Sequence, residues 1–214
     1  MRASQRHTLL RGLYAITDGP RGDLLAAAEA ALAGGARVLQ YRDKSTNHAR
    51  RHTEAVALQA LCQAHGVPLI INDDIGLAAA AGAAGVHLGE QDADIAVARA
   101  RLGPDAIIGA SCYDSLPRAR QLAAAGADYL AFGAFFSSPT KPHARRAPAA
   151  LLREAALLGL PRVAIGGITP DNGGALIDAG ADLLAVISGV FGAADVRGAA
   201  RRYADLFEST RRPS

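Results

Sequence analysis

AGGARVLQY (33–41), AGAAGVHLG (81–89), AGADYLAFG (125–133) and AGADLLAVI (179–187) are four versions of one layout. Each closes an Ala-rich helical stretch with small residues and Gly, then runs into a short apolar strand. Their starts lie 48, 44 and 54 residues apart. Half of such a spacing is about 25 residues, the size of one helix, one strand and their loops, so the layout marks every second unit of a βα array.

The strands between them are LYAIT (13–17), PLIIN (68–72), AIIGAS (106–111) and RVAIGG (162–167). Eight strands are therefore predicted near 13–17, 37–42, 68–72, 85–88, 106–111, 128–133, 162–166 and 182–187. Helices are predicted over 22–33, 46–65, 74–81, 93–102, 115–125, 148–158, 171–178 and 193–208. Gly34, Gly66, Gly126 and Gly180 are placed as helix C-caps. Several strands are apolar with little alternation, as expected where both faces are buried. Eight parallel strands with eight helices in 214 residues predict an α/β fold, a single (β/α)8 TIM barrel. A doubly wound open sheet is the alternative architecture. One domain is expected over 1–214, with a core of about 13–208 and flexible ends expected at 1–8 and 209–214.

Composition narrows the function. Half of the residues are apolar and a fifth are charged, a globular balance. No apolar run approaches the roughly 20 residues of a membrane helix, and Met1 to Leu10 lacks the apolar stretch of a signal peptide. Cys62 and Cys112 make no disulfide framework, so a cytoplasmic protein is expected. The net charge of +3 comes from scattered basic residues with 5% aromatics and no Trp, a poor match to nucleic-acid binding. Of 23 basic residues only Lys44 and Lys141 are lysine, which draws attention to both as compact cations.

In a barrel of this kind the site lies at the C-terminal ends of the strands. The second strand ends in Gln40, Tyr41, Arg42, Asp43 and Lys44, where Gln40, Arg42 and Lys44 alternate and so point one way. An amide and two cations suit a phosphate with a heteroaromatic neighbour. The third strand ends in Asn72, Asp73 and Asp74, and the loop after the fourth carries Asp92. Asp73 and Asp92, beside cations and without a His–Cys set, suit Mg²⁺ held with waters and phosphates. Asp74 reads as a helix N-cap. Ser111 ends the fifth strand, and the loop after the sixth, 134–147, brings Ser137, Ser138, Thr140 and Lys141 together as a candidate lid. Gly166, Gly167 and Ser188 end the last two strands, where barrels hold phosphate on backbone N–H groups. Two anion stations result, fit for two phosphorylated substrates or one bisphosphate. His48 and His52 lack the Glu of a zinc motif and read as a surface helix face. His87 reads as a packed core histidine, and no His is tied to Cys112 by motif.

LYAITD, QYRDK, IINDD, GVHLGEQD, IIGAS, FGAFFSSPTK, AIGGI and AVISG, in this order from Leu13 to Phe191, resemble thiamine-phosphate synthase. The resemblance implies a barrel enzyme, a transferase of thiamine biosynthesis. It implies joining 4-amino-5-hydroxymethyl-2-methylpyrimidine diphosphate to 4-methyl-5-(2-phosphooxyethyl)thiazole, with release of diphosphate. It assigns Gln40, Arg42, Lys44, Asn72, Ser111 and Lys141 to the pyrimidine diphosphate, and the neighbours Tyr41 and Asp43 are counted with them. Arg42, Lys44, Ser111 and Lys141 are the expected catalytic residues. It assigns Mg²⁺, the one expected cofactor, to Asp73 and Asp92. It assigns Ser138, Thr140, Gly167, Ile187 and Ser188 to the thiazole phosphate, with Pro139 between the first two. The family loop PTPTK reads SSPTK here, which retains a hydroxyl at Ser138, and GQED reads GEQD, which retains Asp92. The expected partners are small-molecule substrates and a possible second copy of the chain, with neither nucleic acid nor membrane. The alternatives are a thiazole tautomerase of the same fold, a sugar-phosphate isomerase barrel and a non-catalytic phospholigand-binding barrel. The tautomerase would want a His in the loop after the fifth strand, where this chain has Tyr113.

Overall fold

A computed structural model describes residues 10–92, 94–137 and 146–209. The eight expected strands are present: β1 (Gly12–Ile16), β2 (Ala36–Tyr41), β3 (Leu69–Asn72), β4 (Gly85–Leu88), β5 (Ile107–Tyr113), β6 (Tyr129–Phe132), β7 (Arg162–Ile165) and β8 (Leu183–Val186). They pair in parallel and in sequence order, and β8 closes on β1. The closed barrel removes the open-sheet alternative.

The helices among the described residues are α1 (Leu24–Ala33), α2 (His48–His65), α3 (Ile75–Ala81), α4 (Ile95–Leu102), α5 (Leu116–Ala124), α6 (Ala150–Glu154), α7 (Pro170–Asp178), α8 (Ser188–Phe191) and α9 (Val196–Ser209). Two expected helices are divided differently. The stretch predicted as 148–158 is α6 followed by a 3-10 turn over Ala155–Leu158. The stretch predicted from 193 starts at Val196, and the short turn α8 precedes it. No helix of the described residues is long and apolar enough to cross a membrane.

The strands bury both faces, each for a different partner. Tyr14, Ile16, Val38, Ile70, Tyr129, Val163 and Leu183 fill the barrel interior. Leu13, Ala15, Leu39, Ile71, Val86, Ile108, Leu130 and Leu184 pack outward with the helix residues Ala28, Leu58, Ala78 and Leu176. Burying one such Leu or Ile contributes about 1.5–3 kcal/mol. This period-two division decides which residue of each strand end enters the mouth.

The helix ends correct one expectation. Gly66 is a left-handed C-cap (φ +64°), as predicted. Gly34 is a C-cap in the right-handed region, and the positive φ falls on Gly35. At α5 and α7 the C-caps are Ala125 and Ala179, so Gly126 and Gly180 stand one residue further on. The turn still needs its glycine, displaced by one residue because the cap itself stays helical. At the other end of α3, Asp74 accepts from Leu77 N–H at 2.8 Å and is the predicted N-cap.

Candidate active site at the barrel mouth

The strand phase places Gln40 inside the barrel. Its side chain is buried and donates through Nε2 to the Tyr14 hydroxyl at 2.7 Å. Two residues further, Arg42 is half-buried, and two beyond that Lys44 is exposed, with Nζ 3.7 Å from Asp73 Oδ2. The three climb out of the core toward solvent, as their alternation predicts.

Tyr41 and Asp43 lie on the opposite phase. The Tyr41 hydroxyl donates to Glu54 on α2 at 2.6 Å. Asp43 is buried against Arg50 (2.5 Å) and accepts from Ser45 N–H at 2.7 Å. Both are expected among the pyrimidine diphosphate residues, but the structure gives their polar atoms partners within the protein. The physical reason is period two: what turns Gln40, Arg42 and Lys44 inward turns Tyr41 and Asp43 toward α2. With the Asp43 side chain fully buried and Arg50 a third exposed, this pair anchors the loop carrying Lys44.

At the end of β3, Asn72 donates to Asp73 Oδ2 at 2.6 Å. Asp73 holds a positive φ of 63°, uncommon for a residue with a side chain. Asp92, in the loop after β4, accepts from Gly89 N–H at 2.5 Å and lies against Asp73. Burial raises the Asp73 carboxyl above its usual range, and the neighbouring Asp92 raises it further, against the pull of Lys44 and Asn72. Two oxygen-donor carboxylates held together, with the Lys44 ammonium 3.7 Å from one of them, fit a hard divalent cation better than they fit each other. A depression of about 570 Å³ opens here, lined by Asp43, Lys44, Ser45, Arg51, Asn72, Asp73, Asp74 and Ile75, so Asp43 borders it even while paired with Arg50. Arg51 is not among the predicted residues; it pairs with Asp74 at 3.0 Å, and its place on α2 carries no sequence signal.

Ser111 on β5 is half-buried, with Oγ 2.9 Å from His87 Nε2. His87 stacks on Tyr129 (centroids 5.6 Å, interplanar 18°), and its Nδ1 lies 3.0 Å from the Tyr129 hydroxyl. Burial holds the imidazole at about 4, so it is neutral at pH 7. The packed-histidine expectation stands, and the packing includes a predicted site residue. Cys112 points outward into the core and is free, as is Cys62. His48 and His52 are exposed on α2.

The other side of the mouth is mainly backbone. Gly166 and Gly167 have positive φ of 104° and 62°. A Cβ on Gly167 would collide with the backbone of Phe136 and Ser137. Phe135 and Phe136 N–H donate to the carbonyls of Ile165 (3.2 Å) and Gly166 (3.0 Å), so the chain leaving β6 runs along the end of β7. Asn172 donates to Gly167 O at 3.1 Å and fixes the turn from below. Ile187 leads into α8, where the Val190 and Phe191 N–H groups bond back to the Ile187 carbonyl at 3.1 and 2.9 Å and those of Ser188 and Gly189 open the turn. Ser138, Pro139, Thr140 and Lys141, with most of the candidate lid, lie outside the described residues, as do the ends 1–9 and 210–214.

The chain resembles known proteins over its whole barrel. The model of the thiamine monophosphate synthase family matches residues 13–190. A thiamine-phosphate synthase of Chromobacterium violaceum is 57% identical over 200 residues, covering 92% of this chain and 97% of that protein. One of Xanthomonas campestris is 58% identical over 194 residues, covering 90% and 94%. The solved thiamine phosphate pyrophosphorylase of Pyrococcus furiosus superposes with a TM-score of 0.85 at 35% identity, over 96% of this chain and 98% of that one. With its strand ends carrying the polar residues described above, the chain belongs to the thiamine monophosphate synthase family and is a transferase of thiamine biosynthesis.

Proposed function

We propose that the protein condenses 4-amino-5-hydroxymethyl-2-methylpyrimidine diphosphate with 4-methyl-5-(2-phosphooxyethyl)thiazole, giving thiamine phosphate and diphosphate. The observation that carries this reading is the pairing of Asp73 with Asp92 beside Lys44, across the mouth from the glycine turn at Gly166 and Gly167. A diphosphate with its cation suits the first, and a phosphate monoester suits the second. Relatives 57–58% identical carry the same activity in their names.

The reaction breaks the bond between the pyrimidine methylene carbon and the diphosphate oxygen, whose electron pair leaves with the diphosphate. The thiazole nitrogen lone pair then forms the new carbon–nitrogen bond. The aminopyrimidine donates electrons toward the methylene carbon, which favours a dissociative, carbocation-like step. Lys44, Arg42 and Lys141 neutralise charge as it builds on the leaving oxygens. A cation about 4 Å away contributes on the order of 4 kcal/mol at an effective dielectric near 20. Asp73 and Asp92 would hold Mg²⁺, which when bound supplies further neutralisation of the diphosphate. Gln40, Asn72 and Ser111 orient the pyrimidine. Gly167, Ile187 and Ser188 hold the thiazole phosphate by backbone N–H groups, helped by Ser138 and Thr140. No protein base is needed, in keeping with a neutral, fully partnered His87. Holding both reactants in line supplies much of the remaining rate.

The test is diphosphate release from the purified protein given the pyrimidine diphosphate and Mg²⁺, with and without the thiazole phosphate. Release that requires both substrates and stops on chelation is the expected result. No release with authentic substrates would overturn the reading and send the same protein to a thiazole tautomerisation assay. Within the reaction, Lys141→Ala lowers kcat and leaves the melting temperature unchanged.

A further inference from the structure

Five side chains join Gln40 to Ser111 through the barrel interior. Gln40 Nε2 meets the Tyr14 hydroxyl at 2.7 Å. The Tyr14 and Tyr129 hydroxyls are 2.7 Å apart. Tyr129 meets His87 Nδ1 at 3.0 Å, and His87 Nε2 meets Ser111 Oγ at 2.9 Å. The residues come from β2, β1, β6, β4 and β5 in that order, so the chain spans the lumen. It is built for. Gly109 on β5 sits opposite Tyr129, where a Cβ would overlap the Tyr129 ring, and Tyr14 meets that ring edge-on at 5.9 Å. Both tyrosines are fully buried.

A chain of hydroxyls closed by an imidazole has a direction. Gln40 donates into Tyr14, so the Tyr14 hydrogen goes on to Tyr129 and the Tyr129 hydrogen to His87 Nδ1. A neutral imidazole then carries its hydrogen on Nε2 and gives it to Ser111 Oγ. Reversing one link alone would leave a buried hydroxyl hydrogen without an acceptor. The two ends are thereby set. Gln40 keeps Oε1, an acceptor, beside its second Nε2 hydrogen, and Ser111 keeps its hydroxyl hydrogen, a donor, beside one lone pair.

We infer that Tyr14, Tyr129 and His87 are positioning residues that lock the polarity of Gln40 and Ser111, and so make the site read an amino- rather than an oxo-pyrimidine. The inference rests on the assignment of Gln40 and Ser111 to the pyrimidine under the proposed function. An aminopyrimidine edge offers an exocyclic N–H donor and a ring-nitrogen acceptor, which complement an acceptor and a donor. The 4-oxo form offers an oxygen acceptor and a ring N–H donor, the opposite pair. The locked chain meets that pair only through the second Nε2 hydrogen of Gln40 and the remaining lone pair of Ser111, leaving Oε1 and the Ser111 hydrogen unmatched.

The experiment measures dissociation constants of the 4-amino and 4-oxo pyrimidine diphosphates without thiazole phosphate, for the wild type, Tyr14→Phe and Tyr129→Phe. Binding is used because the two rings differ in reactivity. The wild type is expected to prefer the amino form by about a hundredfold or more, and each Phe variant to lower that ratio about tenfold. A merely structural role would weaken both ligands equally, and an unchanged ratio overturns the inference. A second arm reads nitrogen-15 NMR of His87 in the unliganded protein, assigned with His87→Gln. Nε2-protonated imidazole is expected in the wild type, with mixed tautomers in Tyr129→Phe. A wild-type imidazole protonated on Nδ1 overturns the proposed direction. If the wild type bound neither pyrimidine, the functional reading would fall, while the tautomer would still decide the direction of the chain.

Discussion

At the ends of β2 to β5 the candidate site is made of side chains: Gln40, Lys44, Asp73, Asp92 and Ser111. At the ends of β7 and β8 it is made of backbone, turned by Gly166 and Gly167 and by the start of α8. The two halves answer to different physics. A side-chain station is specific in charge and hydrogen-bond sense and can be dismantled one group at a time. A backbone station offers N–H groups that no substitution short of proline deletes, so otherwise it breaks only when a Cβ or a wrong φ moves the chain.

The largest expected effect is on the side-chain half. Asp73→Asn with Asp92→Asn removes both carboxylates, and kcat should fall about a thousandfold, a loss on the scale of electrostatic transition-state stabilisation. Mg²⁺ should raise the melting temperature of the native protein, and the same change should abolish that rise. That rise follows from the sign of the Asp73 shift. A carboxyl whose folded pKa is raised favours the fold below its unfolded pKa and loses that contribution as pH rises through the folded value. Near pH 7 the unrelieved pair works against the fold, and a bound cation offsets it.

The backbone half breaks at Gly167→Ala. The new Cβ meets the backbone of Phe136 and Ser137, and φ of 62° disfavours a side chain. kcat/KM for the thiazole phosphate should drop about a hundredfold, while binding of the pyrimidine diphosphate stays within a factor of about three, because only one station moves. Equal losses for both substrates would dissolve the distinction.

His87 gives the side-chain half a pH signature. Its pKa is held at about 4 by burial, so the neutral imidazole stabilises the fold fully above its unfolded pKa of about 6.5. That contribution, on the order of 2–3 kcal/mol, should be lost as pH falls from about 6.5 to 4. Denaturant titrations across that range should show it, and His87→Gln should flatten the curve there.

The smallest effect is the sharpest contrast between the halves. Ser188→Ala keeps the backbone N–H and should change kcat/KM no more than about threefold, whereas Ser111→Ala should lower it at least tenfold, since the proposed reading uses the hydroxyl of Ser111 and the backbone N–H of Ser188.

Much of this was legible in the residues because both halves follow from strand phase. The repeated layout marks four strands and the apolar runs between its copies mark the other four, all to within a few residues, since a parallel barrel strand is a short apolar run. Asp74 was recognisable as a cap because N-caps are local. Tyr41 and Asp43 show the opposite lesson. They sit next to inward residues in sequence and were grouped with them, although the alternation used for Gln40 already sends them to α2. The Gln40 to Ser111 chain was not visible because its members come from five strands and meet only on closure. The usable signal was a tyrosine at an inward position of LYAIT and of DYLAF, opposite a lone Gly109. The displacement of the glycines after α5 and α7 depends on how the last helical turn tightens, which composition does not encode.

The division of labour at the mouth is tested most directly by binding of each substrate alone to two variants, Lys44→Ala and Gly167→Ala. The account predicts a crossed pattern: Lys44→Ala weakens the pyrimidine diphosphate about tenfold or more and spares the thiazole phosphate, and Gly167→Ala does the reverse. Parallel losses of both ligands in either variant would contradict it.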